Sequence, residues 1–260
     1  MKSALPYNNQ HQVYESFSCD FPDNTQVELF KNDTVVSRPI GLPEDAIQPP
    51  SARPLYRTAP WAFPAQGLAV FHGPGSTPKL SHYFLPRLLL QGKRVLFLDG
   101  ANCANPRLLA RLARERRVPF ERFNRQIKMA RAFTCFQLTE LIARVPRFLL
   151  SFPADVLVVT ALPDLYFDED IRDWDACAAF EQALSSLGRL ARQPLTLAVF
   201  SAAMTFAPSA ARKNFLARAC RAAGEVWRFG LGEDGRPNLM CERGPANLRR
   251  GPAATLAGMR

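Results

Sequence analysis

The sequence predicts an α/β protein, a three-layer sandwich whose central sheet is mostly parallel and ends in a C-terminal antiparallel hairpin. Three observations carry that prediction. Residues 67–100, GLAVFHGPGSTPKLSHYFLPRLLLQGKRVLFLDG, read as strand, glycine-bearing loop, helix and strand, which is one βαβ unit. The runs ADVLVVT at 154–160 and LTLAVF at 195–200 are rich in Val and Leu, as strands buried on both faces must be. Last, EVWRFGLGEDGRPNLMCERG at 225–244 holds two short apolar runs about a Glu-Asp-Gly turn, the pattern of a hairpin.

With 260 residues, 47% of them hydrophobic, the chain can bury a core of full domain size. Residues 1–60 stand apart: eight prolines and weak periodicity mark an extended arm or linker, with short strands expected at 26–30 and 34–37. The core is placed at 61–248 and a tail at 249–260. Lysine and arginine number 33 against 23 acidic residues, a net charge of +10 that favours a polyanionic partner, nucleic acid first, although a solvated basic surface needs no partner. The amino terminus, MKSALPYNNQ, is too polar for a secretory signal, and no run approaches the roughly 18 apolar residues of a membrane helix. A soluble, cytoplasmic protein with no membrane partner is therefore expected. Six cysteines lie scattered without a C-x-x-C pair, beside only three histidines, which argues against a disulfide frame or a zinc site.

Among the elements in order, the loop after the first strand carries the most chemistry. Gly73 and Lys79 have the separation of G-x-x-x-x-G-K-[ST], in which backbone N–H groups cradle phosphates, the lysine reaches the terminal ones and the hydroxyl holds magnesium. Here Pro78 replaces the second glycine and Leu80 replaces the hydroxyl. Proline has no N–H, so one donor is missing. Ser81 is a poor substitute, because a helix turns about 100° per residue and aims its hydroxyl elsewhere. Gly73, Gly75, Ser76, Thr77, Lys79 and Ser81 are the candidate nucleotide contacts, set against an ordinary strand-to-helix turn.

Beyond Asp99, PRLLARLARERR at 106–117 puts Leu108, Leu109 and Leu112 on one face of a helix and arginines elsewhere. Arg111 and Arg114 are its candidate phosphate-backbone contacts, set against a merely solvated face. ARAFTCFQLTELI at 130–142 suits a helix entered through Thr134 as N-cap, with Phe133, Phe136, Leu138, Leu141 and Ile142 as its apolar set. After the strand at 154–160, LPDLYFDEDIRDWD leads into a helix with Phe180, Leu184, Leu187 and Leu190 as its core stripe. The carboxylates of Asp164, Asp168, Glu169, Asp170, Asp173 and Asp175 precede or open that helix, where its macrodipole favours them, and no metal is assigned to them.

That order of segments resembles the core of the RecA/RadA-type recombinase ATPases, from residue 68 to about residue 244. The matched segments are the loop at 73–79; QGKRVLFLDGANCANPRLL around the second strand; ARAF…Q at 130–137; VLVVTALPDLYF at the family's Walker B strand; and the closing helix, strand and hairpin. The ARAF…Q element is the most specific of them, since a bare βαβ order is shared by many folds. The resemblance implies a RecA-like P-loop sandwich that takes ATP. It also implies DNA held by the segments at 163–174 and 204–214. The second of these offers Arg212 and Lys213 for phosphate contacts.

The sequence departs from the family at the catalytic positions. Lys79 matches the phosphate lysine, but Leu80 stands at the magnesium hydroxyl, Ala101 at the water-activating glutamate, and Thr160 at the Walker B aspartate. The γ-phosphate sensor falls among Ala202 and Ala203, with Ser201 the nearest hydroxyl. Losing one such group commonly costs orders of magnitude in rate, and here several are absent together. The expectation is a degenerate paralogue acting in DNA recombination, repair or damage-associated DNA synthesis, with ATP binding and hydrolysis weak or lost. It would work through DNA and a protein partner such as a recombinase or polymerase, and a homo-oligomer is compatible with it. The alternatives are an unorthodox, DNA-dependent ATPase using Lys79 and a purely structural subunit. The reading also requires Thr160 to end a central strand that adjoins the one feeding Gly73.

Overall fold

The architecture comes from a computed structural model, described over residues 67–202, 209–231, 237–244 and 254–255. The arm expected at 1–60 lies outside the described residues. Strand β1 (Gly67–Gly73) leads into helix α1 (Thr77–Leu90), and β2 (Val95–Asp99) into α2 (Pro106–Glu115) and the short α3 (Phe120–Asn124). Next come β3 (Ile127–Arg131), α4 (Cys135–Ser151) and β4 (Val156–Thr160), then a 3-10 turn (Asp164–Phe167), α5 (Asp173–Leu190) and β5 (Thr196–Ala202). The chain closes with α6 (Phe215–Ala222), β6 (Glu225–Leu231), β7 (Pro237–Arg243) and β8 (Ala254–Thr255).

The strands form one sheet in the order β3-β2-β4-β5-β1-β6-β7-β8. The first six are mutually parallel. β7 runs antiparallel to β6, and β8 antiparallel to β7. The mostly parallel sheet and its C-terminal antiparallel hairpin are thus as expected. Strand β8 carries the sheet past residue 248, where the sequence placed the end of the core.

Alternation along the strands makes the three layers. Leu68, Val70, Leu96, Leu98, Val159 and Val199 point to one face, where they bury the apolar stripes of α4, α5 and α6. Ala69, Phe71, Phe97, Val158, Ala198 and Phe200 point to the other, against α1 and α2. Strands buried on both faces need a nearly continuous apolar run, which 156–160 and 195–200 supply but for the buried threonines Thr160 and Thr196.

Three local outcomes differ from the sequence reading. Ile127–Arg131 is a strand, the terminal one of the sheet, although the sequence reading placed no strand there and let the next helix reach back to residue 130. Phe133 and Phe136 do not join the core: they are 62% and 49% exposed. The reason is helical phase. α4 begins only at Cys135, so Phe133 precedes it, and the buried stripe Cys135, Leu138, Ile142, Val145 sets a face from which Phe136 is turned by roughly 200° relative to Leu138. Finally, β4 does not adjoin β1, because β5 lies between them. Thr160 is one strand farther from the Gly73 loop than the reading required, so that requirement fails and with it the basis the sequence reading named for itself.

Candidate functional site

The ends of β1, β5, β4 and β2 lie at the carboxyl edge of the sheet, which is where ligands bind in α/β folds. At that edge the loop 73–79 is a tight turn. The Thr77 N–H donates to the Pro74 carbonyl at 2.8 Å and the Lys79 N–H to that of Ser76 at 3.0 Å. α1 therefore starts at Thr77, two residues before Lys79, with Pro78 in its first turn, where the missing N–H costs nothing. Gly73 is explained by packing alone: a Cβ there would sit 2.7 Å from the Phe229 carbonyl oxygen of β6 and 2.9 Å from Thr77 Oγ1. Gly75 and Ser76 are exposed, as is Lys79. The Ser81 hydroxyl is buried and donates to the Pro78 carbonyl at 2.6 Å. Thr77 Oγ1 is buried too, and has no hydrogen-bond partner.

Beside the loop, Asp99 is fully buried at the end of β2 and gathers the neighbouring donors. It accepts from the Cys103 and Ala104 N–H groups at 3.0 and 2.9 Å and from the Thr160 hydroxyl at 3.2 Å, with Arg131 Nε 3.5 Å away. The Thr160 hydroxyl in turn accepts from the Ala101 N–H. The positions that the resemblance matched to the water-activating glutamate and the Walker B aspartate are thus joined in one closed network. A fully buried carboxylate that accepts three hydrogen bonds from its own fold acts as a structural tie. Burial, reinforced by Asp99, pushes the Cys103 thiol up to about 12, so it is not a thiolate nucleophile at neutral pH.

His82 ties α1 to the start of α2. Its Nδ1 meets the Lys79 carbonyl at 3.1 Å, and its Nε2 meets the Asn105 backbone N–H at 3.2 Å. A backbone N–H can only donate, so Nε2 accepts and the proton sits on Nδ1. Desolvation lowers the His82 pKa, while the Lys79 bond and Asp99 oppose it. With the folded pKa below the unfolded value of about 6.5, the neutral imidazole's stabilising contribution is complete above that value. It is lost as the pH falls through the folded pKa. The acid-side decline of melting temperature is expected to be shallower in His82→Gln than in the wild type, each pKa unit being worth about 1.4 kcal/mol. Parallel acid-side slopes in thermal melts would refute this.

The acidic segment is largely engaged within the fold. Asp164 turns inward and accepts from the Ser201 hydroxyl at 2.7 Å and the Ala202 N–H at 2.9 Å, and burial raises its pKa against the pull of those bonds. Ser201, the nearest hydroxyl to the sensor position, is therefore spent on Asp164. Asp173 pairs with Arg212 and Asp175 with Arg172. Among the described residues no group of three or more histidine, cysteine or carboxylate side chains is arranged to hold a metal ion.

One nucleic-acid candidate is corrected by its surroundings. Arg212 is 2% exposed, and its guanidinium is consumed by the Asp173 carboxylate and the carbonyls of Tyr166, Asp168 and Ile171. A phosphate cannot reach it. Lys213, next in the chain, is exposed, and the companion segment 203–208 lies outside the described residues. Arg111 and Arg114 are exposed on α2, with Arg111 leaning on Glu115 at 3.6 Å. The specific ARAF…Q element also has a local explanation: Thr134 Oγ1 accepts from the Gln137 N–H, while Gln137 Oε1 accepts from the Phe133 N–H at 2.8 Å. Those two bonds cap α4. Sequence reading found the Thr134 cap but missed the reciprocal bond, whose signal was the Thr-x-x-Gln spacing.

No protein-family model matches the chain, and no curated protein matches its sequence. No helix among the described residues is long and apolar enough to cross a membrane.

Proposed function

We propose that the chain is a RecA-like protein that acts in DNA recombination, repair or damage-associated DNA synthesis by binding DNA and a protein partner, with ATP hydrolysis weak or lost. The observation that carries the second half is the closed turn at 73–79. From Thr77 to Lys79 no backbone donor faces outward, because two N–H groups bond inside the turn and Pro78 has none. Lys79 is the exposed cation of this turn. A triphosphate with its magnesium does not fit this donor set: Leu80 and Thr160 supply no carboxylate or free hydroxyl, and Ser81 is turned inward.

The DNA half is supported by charge. Residues 106–131 hold nine lysines and arginines against two glutamates, and most of the nine are exposed. Such a surface neutralises phosphates and releases their counterions, so binding to DNA is expected to weaken steeply between low and moderate salt. Binding that is absent or indifferent to salt would overturn that half. For the nucleotide, thermal melts with and without ATP and magnesium are expected to coincide, whereas a ligand at 100 times its Kd would add about 2.7 kcal/mol. Steady-state ATP turnover that disappears in Lys79→Ala would overturn the pseudo-enzyme reading and favour the unorthodox ATPase.

A further inference from the structure

We propose that Arg243 binds a carboxylate, taken by the Nε and Nη2 edge of its guanidinium on the α6 side of β7. The site lies away from the turn at 73–79 and stands apart from the nucleotide and DNA readings above.

Arg243 Nε and Nη2 are both buried, and among the described residues neither has a hydrogen-bond partner. These two nitrogens form one edge of the guanidinium, with their N–H bonds parallel, and that edge meets both oxygens of a carboxylate at once. Buried donors without an acceptor are costly, most of all when charged, and native folds keep few of them. A whole edge left over calls for an acceptor from outside the fold.

The adjacent acid does not fill it. Glu242 gives Oε2 to His72 Nε2 and Oε1 to Arg228 Nε, each at 2.9 Å. Arg243 pairs in register with Val226 of β6, whose side chain packs in the layer of α4, α5 and α6. Residues paired across strands share a face, so Arg243 lies on that side of the sheet. Cys220 of α6 is a neighbour: burial pushes its thiol up to about 11, Glu242 adds to the rise and Arg243 opposes it. The turn at 73–79 feeds α1, which packs on the opposite face.

The donor set selects the class of anion. Among the described residues no other buried side-chain donor of β6, β7 or α6 lacks a partner, so the site offers two N–H groups in one plane. A phosphate would bring further oxygens with nothing to meet them. The third substituent of a carboxylate is carbon, which suits the neighbouring Val226 and the partly buried Cys220. One guanidinium also balances one negative charge. The ligand is therefore an acid that presents a single carboxylate on an apolar carbon.

The test follows the melting temperature of the full chain as sodium chloride is exchanged for sodium acetate at constant pH and ionic strength, with inorganic phosphate as a second probe. The wild type is expected to gain on the order of 5 °C and then saturate. Arg243→Met removes the unfilled edge while keeping an apolar stem, so it is expected to melt above the wild type in chloride and to ignore acetate. Arg243→Lys keeps the charge without the fork, and its acetate midpoint is expected to rise on the order of ten-fold. A general salt effect would move every variant alike.

A wild type that acetate leaves unmoved, or that shifts no more than Arg243→Met, overturns the inference. Phosphate stabilising as strongly as acetate overturns the choice of a carboxylate. If Arg243→Met melts below the wild type in chloride, the chain itself already satisfies the edge and the inference falls. Should that variant not fold, Arg243→Gln carries the same comparison, and the wild-type titration of acetate against phosphate decides by itself.

Discussion

Replacing Arg212 by alanine is expected to cost about 3 kcal/mol of stability, chiefly because the carbonyls it serves lose their donor, its ionic partner Asp173 being half exposed. For a domain of this size that is a drop in melting temperature of about 10 °C. The guanidinium Nε meets Asp173 Oδ1 at 2.6 Å, Nη1 meets the Asp168 carbonyl at 2.6 Å, and Nη2 bonds the Ile171 carbonyl. Four groups of the stretch leading from the 3-10 turn into α5 are thus held by one side chain on the residues just before α6. Without it, carbonyls buried in that stretch lose their donor, and the segment's packing against Phe215 loosens. Arg212→Lys is expected to recover little, because an ammonium cannot reproduce the planar fork that reaches several acceptors at once. DNA affinity, measured where the variant is still folded, is expected to keep the wild-type salt slope. A variant that melts like the wild type but binds DNA less tightly would return Arg212 to the nucleic-acid surface.

Thr160→Asp, the substitution that restores the family's Walker B carboxylate, is expected to destabilise by on the order of 3 kcal/mol and to confer no ATP turnover. In the wild type the Thr160 hydroxyl donates to Asp99 Oδ1 at 3.2 Å while accepting from the Ala101 N–H. An aspartate there removes the donor and sets a second carboxylate against a fully buried one. Two such groups in contact do not ionise together, so one is held protonated and its folded pKa rises above the unfolded value. The sign follows. That protonated form is tolerated below the unfolded carboxylate range, and its stabilising contribution is lost as pH rises through the raised value. The deficit relative to wild type should therefore widen from acid to neutral pH. A deficit that does not vary with pH, or a variant as stable as the wild type, would show that Asp99 and Thr160 are not coupled. Turnover in this variant would show that the edge of the sheet still accepts nucleotide.

Much of the fold was legible because burial on two faces leaves a mark in one dimension. The runs at 156–160 and 195–200 could hardly be anything but central strands, and the stripe Phe180, Leu187, Leu190 marked α5 at the right phase. β3 escaped because a five-residue edge strand with Lys128 and Arg131 on it carries too little apolar pattern to stand out from a basic stretch. Phe133 and Phe136 were misplaced for a related reason: apolar residues near a helix start cannot be assigned to a face until the first helical residue is known.

The candidate site divides along the same line. The sequence alone determined that Pro78, Leu80, Ala101 and Thr160 replace the donors and carboxylates of the resembled ATPases, since identity at a position needs no coordinates. It also determined the alternating strands that place Asp99 and Thr160 at the carboxyl ends of their strands. Only the tertiary structure decided that the 73–79 turn is closed, that Arg212 is a buried tie while Lys213 beside it is exposed, and that Asp99 spends its lone pairs on Thr160, Cys103 and Ala104. The physical reason is range. Burial periodicity is set by each residue's own neighbours in the chain, whereas a hydrogen bond across 59 or 61 residues, such as those of Thr160, exists only once β2 and β4 have paired.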